Sequence, residues 1–218
     1  MWSDLREWFF PSACLGCRAG RTALCARCAP QPAERQTFAV AGVRVVAAGA
    51  YDGLLRAAIV AMKHGERGYI DAFARIVAPL VPDGAVLVPL PTTRLRRAQR
   101  GFDQAVAIVR AVAALRGESW LDALVKTGAP QRGRSRAERL RAGGFVVRAG
   151  CAGGGRHVVA FDDVCTTGHT LTGGFDALRA AGFVVAGGLV LARTAPGRNQ
   201  RREAVVVAGG PSIPKEQP

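Results

Sequence analysis

The chain is poor in lysine and lacks long apolar runs. Of its 30 basic residues only Lys63, Lys126 and Lys215 are lysine, and the remainder are arginine. No apolar run reaches the roughly 18–20 residues that a membrane span requires, which excludes a spanning helix. The first ten residues contain Asp4 and Glu7 and lack a long apolar centre, so they do not read as a secretory signal. A cytoplasmic location is the expectation. No aromatic residue interleaves with the basic stretches, which argues against a base-stacking platform for nucleic acid. No internal repeat is evident.

What is present fits one full-sized α/β domain with a small appendage. The chain has 218 residues, 49% of them hydrophobic. The formal charge is +14, against 16 acidic residues. Arginine suits phosphate through bidentate donation, so one reading is a binder of polyanions. The other is a compositional bias toward arginine and alanine. Basic residues concentrate around 94–100, 132–141 and 198–202.

Periodicity divides the chain into three parts: an N-terminal segment over 1–36, a main domain over 37–207 and a Pro/Gly-rich tail over 208–218, expected to fray. Within the main domain a strand is expected from Val43 to Tyr51. A helix follows, with Leu54, Leu55, Ala58, Ile59 and Met62 at helical spacing and a stop near His64 and Gly65. Further helices are expected over Ile70–Leu80, Asp103–Leu115 and Leu171–Ala181. Buried-type strands are expected over Ala85–Pro91, His157–Phe161 and Phe183–Leu191, with shorter ones at Leu121–Lys126 and Phe145–Arg148. Strands alternating with helices imply an α/β fold, a mostly parallel sheet with helices on both faces.

Four of the six cysteines form two Cys-x-x-Cys pairs, Cys14 with Cys17 and Cys25 with Cys28, seven residues apart. Four thiolates at this spacing suit a closed tetrahedral zinc site of structural type. Such a site would stabilise a segment too small for a core of its own. The alternatives are an iron–sulfur cluster, a redox pair or four reduced buried thiols.

The segment Val158 to Thr170 carries the strongest signal. A short apolar strand ends in Asp162 and Asp163. Then come Val164, Cys165, Thr166, Thr167, Gly168, His169 and Thr170, and an amphipathic helix. Open α/β sheets bind ligands at the carboxyl ends of their strands. A helix start offers free N–H groups to a phosphate, threonines add hydroxyls, and Gly168 permits close backbone approach. The acids repel phosphate but suit ribose hydroxyls or a hard cation such as Mg²⁺. The plainer reading is a capped helix start, with Asp163 or Thr166 as the cap. Cys165 reads as a nucleophile favoured at a helix start or as a small filler in a tight loop.

Two basic loops complete the picture. Arg94, Arg96, Arg97 and Arg100 lie between the strand ending at Pro91 and the helix capped by Asp103. They are candidates for a pyrophosphate or nucleic-acid backbone, or a solvated charged loop. The segment 131–141, with Arg132, Arg134, Arg136, Arg139 and Arg141, would suit a mobile loop closing over a ligand.

The Asp162–Thr170 segment resembles the 5-phosphoribosyl-1-pyrophosphate (PRPP) motif of type I phosphoribosyltransferases. That resemblance implies that Asp162 and Asp163 hold ribose hydroxyls and that Thr166 to Thr170 wrap the 5-phosphate. His169 replaces a small residue common there, which would make phosphate affinity sensitive to pH. Taken whole, the chain is similar to the ComF family of competence-associated phosphoribosyltransferase-like proteins. The likeness rests on the cysteine pairs, Tyr51 to Leu55, Met62 to Gly65, Pro89 to Pro91, Arg100 to Gln104, Gln131 with Arg136 to Arg139, and the acid pair. Asp103 departs from the Asn usual in that pattern, an Asn expected near Ala142 is missing, and the stretch before Phe145 is short.

The resemblance implies a PRPP-type fold behind a zinc-ribbon-like N-terminus, Mg²⁺ with PRPP, and a part in DNA uptake during natural transformation. Partners would be incoming single-stranded DNA and competence helicase or recombination proteins. The chemistry would be phosphoribosyl (glycosyl) transfer, for which no general base stands out. The alternative is a non-catalytic nucleotide sensor or scaffold contacting DNA or protein. A zinc-centred nucleic-acid module ranks last, because the short four-cysteine knuckle holds few basic residues (Arg18, Arg21 and Arg27).

Overall fold

The computed structural model describes residues 13–127 and 144–195. The expected basic loop at 131–141 and the tail lie outside the described residues. Seven strands are described: β1 (Gln36–Val40), β2 (Val43–Ala50), β3 (Val86–Pro89), β4 (Leu124–Lys126), β5 (Phe145–Val147), β6 (His157–Cys165) and β7 (Val184–Arg193). With them are five α-helices: α1 (Gly53–Lys63), α2 (Tyr69–Val77), α3 (Arg94–Arg100), α4 (Gln104–Arg116) and α5 (His169–Ala180).

The main sheet has the order β1-β2-β7-β6-β3. The β2–β7, β7–β6 and β6–β3 pairs are parallel, and only the edge strand β1 runs antiparallel to β2. The expected mostly parallel α/β sheet is therefore the observed one. β4 and β5 form a separate antiparallel pair.

Alternation along the strands decides what each face covers, because successive side chains point to opposite sides. Leu87, Val159, Phe161, Leu189 and Leu191 pack with α1, α2 and α4. Val88, Val158, Ala160 and Val190 pack with α5 and the β4–β5 pair. Helices α1 and α4 each turn a stripe at i, i+3, i+4, i+7 to their face: Leu55, Ala58, Ile59 and Met62 on α1, and Ala105, Ile108, Val109 and Val112 on α4. On α5, Gly174 lets the helix approach Leu90 so closely that an added Cβ would lie 2.4 Å from Leu90 Cδ2.

Three expectations need correction. The 94–100 stretch is a short helix rather than a loop. Thr93 Oγ1 accepts from Arg96 N at 3.3 Å, and Gly101, at φ 76°, ends the helix. β6 does not stop at Phe161; Asp162 pairs with Val190, Val164 with Ala192 and Cys165 with Arg193, so both acids belong to the strand. β1 was not expected. Its alternation is short, and the two-residue turn Ala41–Gly42, both at positive φ, is the hairpin signal that marks it.

The cysteine knuckle lies against this domain. Cys14 and Leu24 are buried with Ala72 of α2, and Ile76 packs on the same cluster. Gly16 sits so close to Leu54 and Cys28 that a Cβ there would approach them within 2.7 and 2.8 Å.

Candidate functional site

A cleft of about 240 Å³ opens at the carboxyl ends of β2, β3 and β6. β2 delivers Tyr51, β3 leads into Leu90, Pro91 and Thr92, and β6 supplies Asp162, Asp163 and Val164. Leu90 N donates to Phe161 O at 2.8 Å, and Tyr51 N to Arg193 O at 2.7 Å, so the exits of four strands are tied together.

The two acids leave β6 toward different partners. Asp163 accepts Lys63 Nζ at 2.8 Å, from the last residue of α1. Asp162 is buried, and Asp163 N donates to its Oδ1 at 2.9 Å. Burial, reinforced by the neighbouring Asp163 charge, pushes the Asp162 carboxyl up to about 8; the Asp163 amide and Lys126 pull the other way without cancelling it. In the free protein at neutral pH, Asp162 therefore tends to hold a proton. A bound cation or well-placed cationic group would reverse that preference.

After β6 the chain turns at Gly168, φ 81°, which is the N-cap position of α5 and has no side-chain cap. Neither Asp163 nor Thr166 caps this helix. Asp163 Oδ1 instead accepts the amide of the next residue, Val164, at 2.8 Å. The turn is held from below by Thr194 N donating to Cys165 O at 3.0 Å. Gly168 leans on Val40 of β1, with its would-be Cβ 3.0 Å from Cγ1. Thr166 and Thr170 line the cleft. Thr167 and His169 are exposed beside it and pair with each other, Oγ1 to Nδ1 at 2.6 Å. Cys165 is buried and closes β6, and burial raises its thiol pKa, which favours the inert filler over the nucleophile.

Of the four expected arginines, Arg96 and Arg100 line the cleft, whereas Arg94 and Arg97 are not among its lining residues. Arg100 Nη1 donates to Gln104 Oε1 at 3.0 Å. Gln104 is only 3% exposed, and its Nε2 has no partner among the described residues, which leaves a buried donor at the cleft wall. Asp103, also in the wall, accepts Thr92 N at 2.8 Å and Val106 N at 3.3 Å, joining the β3 exit to the start of α4.

Sequence reasoning missed Lys63, Lys126, Gln104, Thr92 and Tyr51 as cleft residues. A signal for two of them was present. Where arginine is the default base, two of the three lysines stand in this cleft.

The second constellation is the knuckle. The Sγ atoms of Cys14, Cys17, Cys25 and Cys28 all lie within 4.8 Å of one another, and no disulfide links them. Cys17 Sγ and Cys25 Sγ are 3.7 Å apart. Tetrahedral zinc with about 2.3 Å bonds to sulfur needs about 3.8 Å between sulfurs, so the donor set fits such an ion. Backbone N–H groups support charged sulfur at Cys14 and Cys17, whereas burial and the neighbouring cysteines push the Cys28 thiol up to about 12. Burial opposes the Cys14 thiolate, yet amides of Cys25, Cys17 and Gly16 bring its pKa down to about 6. The Ala19 amide and Arg27 lower that of Cys17. By the spacing of their sulfurs, the four cysteines could hold a metal ion such as zinc.

The site is an open α/β cleft of mixed charge at strand carboxyl ends, beside a four-thiol knuckle. Similar solved structures include an adenine phosphoribosyltransferase from Leishmania tarentolae, 13% identical with a TM-score of 0.36, covering 62% of this chain and 74% of that one. Another is the adenine phosphoribosyltransferase of Leishmania donovani, also 13% identical, with a TM-score of 0.35 over 77% of this chain and 83% of that one. No family model and no curated protein matches the chain. Among the described residues no helix is long and apolar enough to cross a membrane.

Proposed function

We propose that the cleft binds PRPP or a related ribose 5-phosphate with Mg²⁺, and that the protein is a ComF-type phosphoribosyltransferase serving DNA uptake. The observation that carries this reading is the meeting of Asp162 and Asp163 with Thr166 and Thr170 in one cleft, beside the glycine turn that opens α5. In this reading Asp162 and Asp163 accept ribose hydroxyls. The backbone from Val164 through Cys165, Thr166, Thr167, Gly168 and His169 to Thr170 surrounds the 5-phosphate, with the α5 dipole behind it. Arg96 and Arg100 reach the pyrophosphate end, with Arg94 and Arg97 next to them on α3.

Asp162 and Asp163 would hold Mg²⁺ brought with the ligand, and the ion would offset pyrophosphate charge. The chain's own part is positioning and electrostatic stabilisation of a departing pyrophosphate. Zinc in Cys14, Cys17, Cys25 and Cys28 has a structural role. Residues 1–36 form the zinc segment, 37–207 the phosphoribosyltransferase-like domain and 208–218 a tail. The setting is the cytoplasm, with single-stranded DNA and competence proteins as partners.

Calorimetry of PRPP with Mg²⁺ tests the ligand. The wild type should bind, and Asp162→Ala with Asp163→Ala should weaken binding at least tenfold. Equal affinity of the two proteins removes the assignment. Release of pyrophosphate with a nucleobase distinguishes turnover from binding alone.

A further inference from the structure

The sheet opens again at the end opposite the cleft. A cavity of about 430 Å³ lies at the amino ends of β2, β6 and β7, on the face that packs with α1, α2 and α4. Alternation puts three pairs of residues there: Arg44 and Val46 from β2, Gly187 and Leu189 from β7, His157 and Val159 from β6. β7 lies between the other two strands, so Gly187 is the centre of the floor. Leu80, Pro82 and Ala85, from the link between α2 and β3, form the facing wall.

Gly187 has no local reason to be glycine. Its φ is outside the left-handed region. Nothing packs on it either, since an added Cβ would meet only Arg44 O, at an ordinary 3.6 Å. Its neighbour Gly188 differs, because a Cβ there would press on Val45 and Phe175 at 3.0 and 3.1 Å. What the missing side chain of Gly187 leaves is room. The strand is also irregular at this point. Val158 pairs with Val185 and Val159 with Gly187, so Ala186, another lining residue, is an extra residue without a partner on β6. A bulge of this kind takes backbone groups out of the ladder, and bulges are frequent beside sites.

We propose that this cavity is a second ligand site, for a small carboxylate with a flat apolar body. The ring lies over Gly187, between Val46, Val159 and Leu189, where a bare glycine flanked by branched side chains leaves a slot. Three polar side chains line the cavity, and Asp83 is already paired with Arg116, which leaves Arg44 and His157 to meet a ligand. The Arg44 guanidinium takes the carboxylate through two parallel N–H bonds. His157 offers a ring N–H from the far side of β7. A phosphate suits the cavity poorly, because most of its oxygens would face Val46, Val159 and Leu189 with no donor. The cavity shares no residue with the cleft at the carboxyl ends, so the inference holds whatever that cleft binds.

The test is a fluorescence titration of the full chain with naphthoate, and with naphthamide as its uncharged counterpart. Wild type should bind the acid at least fivefold tighter than the amide. Arg44→Gln should remove that preference by weakening the acid alone. Gly187→Leu sets a side chain in the floor and should weaken both probes at least tenfold. Its melting temperature should not fall, since the added Cβ meets no atom closer than 3.6 Å. Should it fall, Arg44→Gln decides, because Arg44 is exposed and its replacement spares the core. Absence of saturable binding to wild type, or binding that survives Gly187→Leu, overturns the site. Equal affinity for acid and amide, or an acid affinity unchanged by Arg44→Gln, overturns the carboxylate assignment. None of these results depends on PRPP binding, which is read separately with Asp162→Ala and Asp163→Ala.

Discussion

Asp162 shows how burial, reinforced by a neighbouring charge, sets a pH response. Its carboxyl is raised from 3.8 to about 8 in the folded chain. The folded state therefore keeps a proton that the unfolded chain releases at ordinary carboxylate pH. Stability contributed by this group is present at low pH, falls as pH rises from about 3.8 toward about 8, and levels off above. Asp103, raised chiefly by its own burial, adds a change of the same sign. Melting temperature against pH should thus fall less steeply for Asp162→Asn than for wild type, and an unchanged slope would contradict this assignment. Gly168 supplies the other residue-scale prediction. At φ 81° and with a would-be Cβ 3.0 Å from Val40, alanine there meets both backbone strain and a neighbour. Gly168→Ala should cost about 1–2 kcal/mol from the left-handed backbone alone, measured by urea unfolding.

At the scale of elements, capping explains both what was readable and what was not. Asp103 could be read as the cap of α4 because an acid followed by an apolar-periodic run is a local signal. Its second role could not, since Thr92 N reaches Asp103 Oδ2 only after β3 and α4 have docked. Asp103→Ala loses both bonds and should cost about 1–2 kcal/mol. Asp103→Asn keeps an oxygen for Val106 N but leaves Thr92 N facing an amide, so urea unfolding should place it between wild type and alanine. α3 was hidden for a different reason. Seven residues, four of them arginine, carry no apolar stripe, so periodicity has nothing to detect. The far end of β6 was hidden because Asp162 and Asp163 look like a strand terminus. Pairing with β7 on its flank carries the strand through them to Cys165.

For the whole molecule, the knuckle is a part of the packing as well as a metal-ligand set. Cys14 and Leu24 bury themselves on Ala72, so an ion held there would brace α2 against the N-terminal segment. Purified protein should contain one metal ion per chain. A strong chelator, or Cys14→Ser with Cys17→Ser, should lower the melting temperature by several degrees. An unchanged melting temperature after complete metal removal would mean that the knuckle's packing stands without the ion. The +14 charge belongs to this scale too, and the cleft does not simply concentrate it. Lys63, Lys126, Arg96 and Arg100 face Asp103, Asp162 and Asp163, a mixed lining suited to a ligand with both hydroxyl and anionic parts.

Local order was available from the chain itself. Helical stripes, glycine stops, Cys-x-x-Cys spacing and the strand–acid–threonine–glycine run each involve neighbours a few residues apart, where covalent geometry limits the choices. Convergence was not. Lys63, Gln104 and Lys126 come from three elements far apart in sequence, and only the packing of α1 and α4 on one sheet face, with β4 on the other, brings them to the same cleft. The state of Asp162 is likewise a tertiary property. A carboxyl has an ordinary pKa until surrounding atoms remove its water, and the primary structure does not state which atoms those will be.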